Sequence, residues 1–250
     1  PSTVGDLSAV VSGLLLAMNL PVTVPLWLPV AGSFFMIVIV KMCFGGLGQN
    51  FMNPALAGRA FLLASWPTAM TRFVAPGAVK LELFLDYEYI DAFTSATPLS
   101  DEFFGKASNW DLFLGNVGGC IGETSALALL LGGAYLLIRR IITWRIPVCF
   151  VGTVFLLGWA LGEDPLNYIL CGGLLLGAIF MATDYTTSAT TPWGQIIYAG
   201  GCGVLTVVIR RWGGYPEGVS YSILLMNVAA PLIDKVTPPR VFGRRAFDRG

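Results

Sequence analysis

SALALLLGGAYLLI, residues 125–138, carries no charged side chain and is apolar on every face of the helix it would form. A helix that is hydrophobic all round has no side to turn to water, so it belongs in a large core or in a bilayer. The neighbours decide for the bilayer. Similar runs recur on both sides of it, and the chain of 250 residues is 55% hydrophobic and 12% charged, with a mean hydropathy of +0.72. Soluble globular domains do not reach that composition. The reading is an all-α polytopic membrane protein.

Working outward, a straight helix needs roughly 20 apolar residues to cross the hydrocarbon. The candidate segments are 6–20, 25–43, 52–66, 123–138, 146–162, 166–182, 195–210 and 219–234. Three of them, 6–20, 52–66 and 219–234, are short and lie next to Gly, Pro or Asn. Short segments punctuated in this way predict broken or re-entrant helices that end at an internal site. Trp27, Trp66, Trp144, Trp193 and Trp212 fall near segment ends, where an aromatic belt would put them.

Arginine placement sets the orientation, because net charge, here zero, does not. Arg139, Arg140 and Arg145 share one connection, and Arg240, Arg244, Arg245 and Arg249 crowd the C-terminus. Counting spans puts both groups on one side, taken as cytoplasmic. Residues 67–121 then lie outside, with seven acids (Glu82, Asp86, Glu88, Asp91, Asp101, Glu102, Asp111) against three bases (Arg72, Lys80, Lys106). Arg210 and Arg211 fall outside by the same count, against the rule. The chain starts at Pro1 without a signal-peptide pattern, so its true N-terminus is expected upstream.

Two halves of the chain echo each other. DLSAVVSGLLLAMN from Asp6 and DPLNYILCGGLLLGAIF from Asp164 align through GLLL. KMCFGGLGQNFMNPALAG from Lys41 and RWGGYPEGVSYSILLMNVAAP from Arg211 share a base, a GG turn and a small-residue helix bearing Asn. With the orientation above, the halves are related by inversion, the layout of many transport folds. The expected organisation is a first half over 1–66, an extracytoplasmic loop over 67–121, a second half over 122–235 and a cytoplasmic tail over 236–250. The second half has two more segments than the first, which predicts two helices ahead of Pro1 and ten in the intact protein.

Chemistry is narrowed by what is missing. With no histidine, Ser-His and Cys-His catalysis and His-based metal sites are excluded. Cys43, Cys120, Cys149, Cys171 and Cys202 are scattered without a CxxC and read as small helix residues. No catalytic residue or metal ligand is assigned, and no basic patch with interleaved aromatics points to nucleic acid.

What remains is a pattern that occurs twice. DAFTSATPLS (91–100) and DYTTSATTPW (184–193) both read Asp-x-x-Thr-Ser-Ala-Thr with Pro close behind. This fits the acceptor pattern of flavin transferases, which join FMN to a Thr or Ser hydroxyl through a phosphoester. Small residues leave room for the flavin phosphate and Pro fixes the chain beyond. A covalent tether also makes the flavin's local concentration independent of its affinity. The cofactor-binding candidates are Asp91, Thr94, Ser95, Ala96 and Thr97. Thr97 is favoured over Thr190 because only its loop lies outside by the arginine count.

FGGLGQNFMNPALAGRAFL (44–62), IDAFTSATPL (90–99), IGETSALALLLGG (121–133) and MATDYTTSATTPWGQ (181–195) together resemble the RnfD subunits of Rnf complexes, a family similar to NqrB of the sodium-pumping NADH:quinone reductase. The resemblance runs over nearly all of the chain. It implies a subunit of a ferredoxin:NAD+ oxidoreductase in a prokaryotic cytoplasmic membrane, coupling electron transfer to Na+ or H+ translocation. It also implies FMN esterified to Thr97 by an extracytoplasmic flavin transferase, and a second, non-covalent flavin such as riboflavin, for which no motif is visible. Iron–sulfur, NAD-binding and further FMN groups would come from partner subunits. Many relatives read Ser-Gly-Ala-Thr where this loop reads Thr94-Ser95-Ala96-Thr97.

Six polar residues sit in or beside the apolar segments: Asp6, Arg59, Glu123, Asp184, Asn227 and Asp234. Ionisable groups there cost roughly 2.5–3.5 kcal/mol on insertion scales, so each needs a partner or a job. Asp6, Glu123 and Asp164 read as helix caps. Arg59 reads as the partner of an intramembrane acid, or as a clamp on a flavin phosphate. Asn53, Glu123, Asp184 and Asp234 are the candidates for an ion path. A small-solute transporter on the same repeat, or a scaffold for other redox proteins, would explain the architecture but not the Thr loop.

Overall fold

In the computed structural model, residues 6–74, 94–95, 108–213 and 218–238 are described. Helix α1 (Ser8–Met18) is followed by α2 (Trp27–Phe34), which runs on as a π-helical stretch over Phe35–Met42. Then come α3 (Pro54–Ser65) and the single turn α4 (Pro67–Met70). Strand β1 (Phe73–Val74) pairs antiparallel with β2 (Thr94–Ser95), Phe73 opposite Ser95 and Val74 opposite Thr94. The second part holds α5 (Asn109–Leu114), α6 (Ala126–Ile138), α7 (Arg145–Ala160), α8 (Pro165–Leu170), α9 (Leu174–Leu176) with a π stretch over Gly177–Met181, α10 (Pro192–Trp212) and α11 (Val219–Val236).

The fold is mostly helical, the short β1–β2 pair apart, and α10 and α11 are long and apolar enough to cross a membrane. Several boundaries differ from the sequence reading. The segment 166–182 is two pieces, broken at Cys171–Gly173, because Gly172 takes a left-handed φ of 67° that ends the α8 ladder. The segment 6–20 shortens to α1 and 52–66 to α3. Pro54 fixes the start of α3, with Asn53 as its cap. Pro231 lies inside α11, where it removes one backbone donor.

The central packing is tight because small residues allow it. A Cβ on Gly58 of α3 would lie 3.2 Å from both the Gly32 carbonyl and Met36 Cβ, so the backbones of α2 and α3 meet almost directly. A buried cluster including Leu16, Met36, Leu56, Phe150, Leu174, Met181, Tyr198 and Ile223 joins α1 and α3 to α7, α10 and α11. Leu26, Trp27, Val30, Phe34, Leu131, Leu156, Val204, Val208 and Leu232 point outward, which suits lipid and not water.

Helix direction alternates, so the bundle has two ends. One end gathers the starts of α1, α3, α7 and α10 and the finishes of α6, α9 and α11. The other gathers the starts of α2, α6 and α11, along with Glu163, Asp164 and Arg211. Contacts fix both ends: Thr143 Oγ1 donates to Gln195 Oε1 at 3.3 Å at the first, and Trp27 meets Trp66 edge-on at 5.2 Å at the second.

Candidate functional site

At the first end lies a cavity of about 520 Å3. Its walls come from α1 (Asp6, Ser8, Ser12), the π stretch after α2 (Lys41), the turn before α3 (Asn50, Asn53), the end of α6 (Leu136, with Ile141 and Ile142 beyond), and the segment after α9 (Phe180, Thr183, Asp184, Thr186). Both π stretches therefore border it, as π turns often border functional sites. Asn53 and Asp184, proposed from sequence as ion-path residues, share this cavity.

Local chemistry explains each wall. Asp6 Oδ1 accepts from the Ser8 amide at 2.9 Å and from Ser8 Oγ at 2.7 Å, which caps α1 as expected. Those two bonds, the side-chain one first, hold the Asp6 carboxyl below its ordinary value. Ser8 Oγ accepts in turn from the buried Lys41 Nζ at 2.7 Å. Asn53 Oδ1 accepts from the amides of Ala55 and Leu56 at 3.0 and 3.3 Å, while its Nδ2 donates to Met181 O at 3.3 Å. One residue thus starts α3 and satisfies the end of the second π stretch.

The Asp184 copy of the acceptor pattern is folded into a closed turn. Asp184 Oδ1 accepts from Thr186 N at 3.1 Å and Thr186 Oγ1 at 2.9 Å, and Oδ2 accepts from Thr187 Oγ1 at 3.2 Å. Thr187, Ser188 and Ala189 are buried. Thr190 is exposed, but Asp234 holds it: its carboxylate accepts from Thr190 N at 3.1 Å and from Thr190 Oγ1 at 3.0 Å. Beneath the turn, Asn227 is 1% exposed. Its Oδ1 accepts from Asn53 N at 3.0 Å, and its Nδ2 donates to Tyr198 Oη at 2.6 Å and Thr187 O at 3.3 Å. Of the other loop, Asp91, Ala96 and Thr97 lie outside the described residues. Thr94 and Ser95 are described through their backbone pairing with Phe73 and Val74.

A second polar group lies between the two ends. Arg59, 3% exposed, donates from Nη1 to Asn19 Oδ1 at 3.2 Å and Ser220 Oγ at 3.0 Å, and from Nη2 to Cys120 Sγ at 3.6 Å. Glu123, 6% exposed, uses Oε1 to accept from Cys120 N at 2.9 Å, and its Oε2 faces Gly173 at the helix break. The expectation that Glu123 caps a helix is corrected. It reaches back to Cys120, and α6 is capped by Ser125, whose Oγ accepts from Ala128 N at 3.4 Å. Asp164 does cap, accepting from Leu166 N at 3.0 Å.

The off-rule arginines are engaged by the protein. Arg210 donates from Nη1 to Tyr168 O at 2.6 Å and from Nη2 to Cys171 O at 3.1 Å, satisfying the carbonyls freed at the end of α8. Arg211 pairs with Glu163 at 3.1 Å. Among the described residues no group of His, Cys, Asp and Glu could hold a metal ion.

The fold therefore brings Asn53 and Asp184 together, sets Glu123 beside Arg59, and commits Asp234 to Thr190. Lys41, Asn50, Asn19, Ser220 and Cys120 were not singled out as site residues from sequence. Lys41 carried a usable signal, a lone base closing an apolar run, whereas Asn19 and Ser220 carried none.

A family model described as the NQR2, RnfD, RnfE family matches residues 1–243. The D subunit of the Na(+)-translocating ferredoxin:NAD(+) oxidoreductase complex of Acetobacterium woodii is 55% identical over 249 residues, covering 97% of this chain and 75% of that protein. The D subunit of the proton-translocating ferredoxin:NAD(+) oxidoreductase complex of Clostridium ljungdahlii is 47% identical over 264 residues, covering 98% and 77%. The D subunit of an ion-translocating oxidoreductase complex from Alcanivorax borkumensis is 42% identical over 267 residues, covering 98% and 78%.

Proposed function

Because the chain belongs to the NQR2, RnfD, RnfE family, we propose that it is the membrane flavoprotein subunit of an ion-translocating ferredoxin:NAD+ oxidoreductase complex, with FMN esterified to Thr97. The carrying observation is the fate of the two Thr patterns. The Asp184 copy is spent on structure, its Thr190 hydroxyl engaged by Asp234 at 3.0 Å. This supports Thr97 as the acceptor.

The chain's part is to hold that loop and separate it from the cavity. The β1–β2 pairing pins Thr94 and Ser95 beside Phe73 and Val74. At the far root of the loop, Ile121 N donates to Leu20 O at 3.1 Å and Gly122 N to Met18 O at 2.7 Å. These roots sit at the end of the bundle opposite Arg139, Arg140 and Arg145, in keeping with an extracytoplasmic loop and a cytoplasmic Thr190. The inverted-repeat reading draws support from the caps: Asp6 and Asp164 each accept from the amide two residues on, at opposite ends.

A bound flavin supplies reversible one- and two-electron transfer. The cavity at the first end has the size of a small-cofactor site, for which about 300–1,000 Å3 is usual, and we assign the second, non-covalent flavin to it. Phe180 and Leu136 would offer apolar faces, and Lys41, Asn50 and Thr186 the polar edge. Asn53, Asp184, Asp234 and, nearer the other end, Glu123 remain the residues for an ion path. Iron–sulfur and NAD-binding partners complete the complex. The solute-transporter alternative fits less well, since Arg59, Asn19 and Glu123 fill the region of the helix break where such a fold would hold its solute.

The test is in-gel ultraviolet fluorescence of the denatured subunit, co-expressed with a flavin transferase, as wild type, Thr97→Ala and Thr190→Ala. Fluorescence lost only in Thr97→Ala is expected. A dark wild type would favour the transporter or scaffold readings, and loss in Thr190→Ala alone would invert the topology.

A further inference from the structure

We propose that the turn joining α6 to α7 is a binding site for the headgroup of an anionic phospholipid. It carries Arg139 and Arg140, both exposed, and Arg145, half-buried with its guanidinium 6.0 Å from the Trp144 ring centroid. The other described arginines are engaged by the protein itself: Arg59 by Asn19 and Ser220, Arg210 by two carbonyls, Arg211 by Glu163, and Arg72 within its own surroundings. Among the described residues, no acid is paired with the three arginines of the turn. The acids of the same end are occupied elsewhere, Asp184 by Thr186 and Thr187, Asp234 by Thr190, and Asp6 by Ser8. Three cations are therefore concentrated at one place, with planar donors suited to a phosphate.

The backbone of the turn gives an independent reason. The amide of Ile141 donates to Leu136 O at 3.0 Å and that of Arg140 to Leu137 O at 3.0 Å, the double closure of a Schellman cap. The residue after such a cap takes a left-handed conformation and is usually Gly, yet here it is Arg140 with φ 56°. An L side chain is strained in that conformation. Stability alone would favour glycine at this position, so what the chain retains is the arginine side chain. Below the arginines lies exposed apolar surface, Tyr135, Ile138 and Val148, at the level an acyl chain would occupy. Trp144 and Trp193, both exposed, flank the turn as interfacial anchors. Ile141 and Ile142 of the same turn line the cavity, so a lipid held here would also close the cavity's lip.

The experiment uses the assembled complex in phosphatidylcholine nanodiscs doped with a photoactivatable phosphatidylglycerol, and reads label on the peptide spanning 139–148 by mass spectrometry. Wild type is expected to be labelled by the phosphatidylglycerol probe well above the matching phosphatidylcholine probe. Arg140→Gly should raise thermal stability yet weaken labelling about fivefold, the equivalent of ~1 kcal/mol per basic residue near anionic lipid. The triple variant Arg139→Gln, Arg140→Gln, Arg145→Gln should weaken it about a hundredfold. Equal labelling by both probes, or Arg140→Gly labelling unchanged while stability rises, overturns the proposal. Cross-linking of the turn to a neighbouring subunit, with no lipid label, overturns it in favour of protein docking.

Discussion

Gly122 is where the root of the 67–121 loop meets α1, and replacing it with Ala tests whether that junction is built as described. An added Cβ would lie 2.5 Å from Met18 Cβ and 2.9 Å from Met18 O. Neither atom is the free end of a side chain, so the loop root must move away. Carbon contacts settle at about 3.5–4.0 Å, which sets the displacement at roughly 1 Å. A shift of that size breaks the Gly122 N to Met18 O bond at 2.7 Å and strains Ile121 N to Leu20 O at 3.1 Å. Overpacking costs about 1–3 kcal/mol and each lost bond about 0.5–1.5. Against this, Ala loses less chain entropy than Gly by about 0.4–1 kcal/mol. The net expectation is a loss of about 2–4 kcal/mol, or a fall of roughly 5–15 °C in apparent melting for a chain of this size. Gly152 is the control. It lies inside α7 with nothing within 4 Å of an added methyl, so Gly152→Ala should stabilise by about 0.5–1 kcal/mol. Both are read by fluorescence-detected size exclusion after heating, in detergent, beside wild type. A Gly122→Ala variant that melts with wild type would refute the clamp, as would a Gly152→Ala variant that falls as far.

Two other outcomes follow from the polar network. Asn227→Leu should cost about 2–5 kcal/mol, because it leaves the Asn53 amide and Thr187 carbonyl buried without their partner, at about 1–3 kcal/mol each; the same heating assay reads it, and an unaltered midpoint would show that Asn227 does not join the two halves. The Asp6 carboxyl is held low by Ser8, so its stabilisation is full above the unfolded carboxyl value of about 4 and is lost as the pH falls through the lower folded value. Protection of the Ser8 and Val11 amides, with exchange referred to the intrinsic rate at each pH, should therefore fall in acid, and Asp6→Asn should remove that fall; protection in wild type that does not change with pH would contradict it.

The fold was legible where composition and periodicity act over many residues. The uncharged run at 125–138 became helix α6, and the arginine-rich stretch at 139–145 became the turn that follows it. Less legible were features set by single contacts across the bundle. Glu123 looked like a cap because its carboxylate stands at the start of an apolar helix, and a string of letters cannot say which oxygen reaches an amide. Arg210 looked misplaced because the rule counts charges by side, while its role is to satisfy carbonyls that exist only once α8 breaks at Gly172. Asn19 and Ser220, distant in sequence, became a site only when α1 and α11 converged on Arg59.

The two Thr patterns show most plainly how surroundings decide use. Seven-residue similarity predicts equivalent chemistry only if the surroundings are equivalent, and at the second copy a structural use has taken over. Asp184 spends both carboxylate oxygens on Thr186 and Thr187, Ala189 is 1% exposed, and Asp234 arrives from α11 to hold Thr190. The residues that make a good acceptor, small side chains and a short acid, are also those that make a compact Asx-type turn. At 184–190 the same letters serve as a cavity wall, where Asn227 and Asp234 close over them. What commits the second copy to structure is an acid forty-four residues downstream of Thr190, out of reach of any local motif.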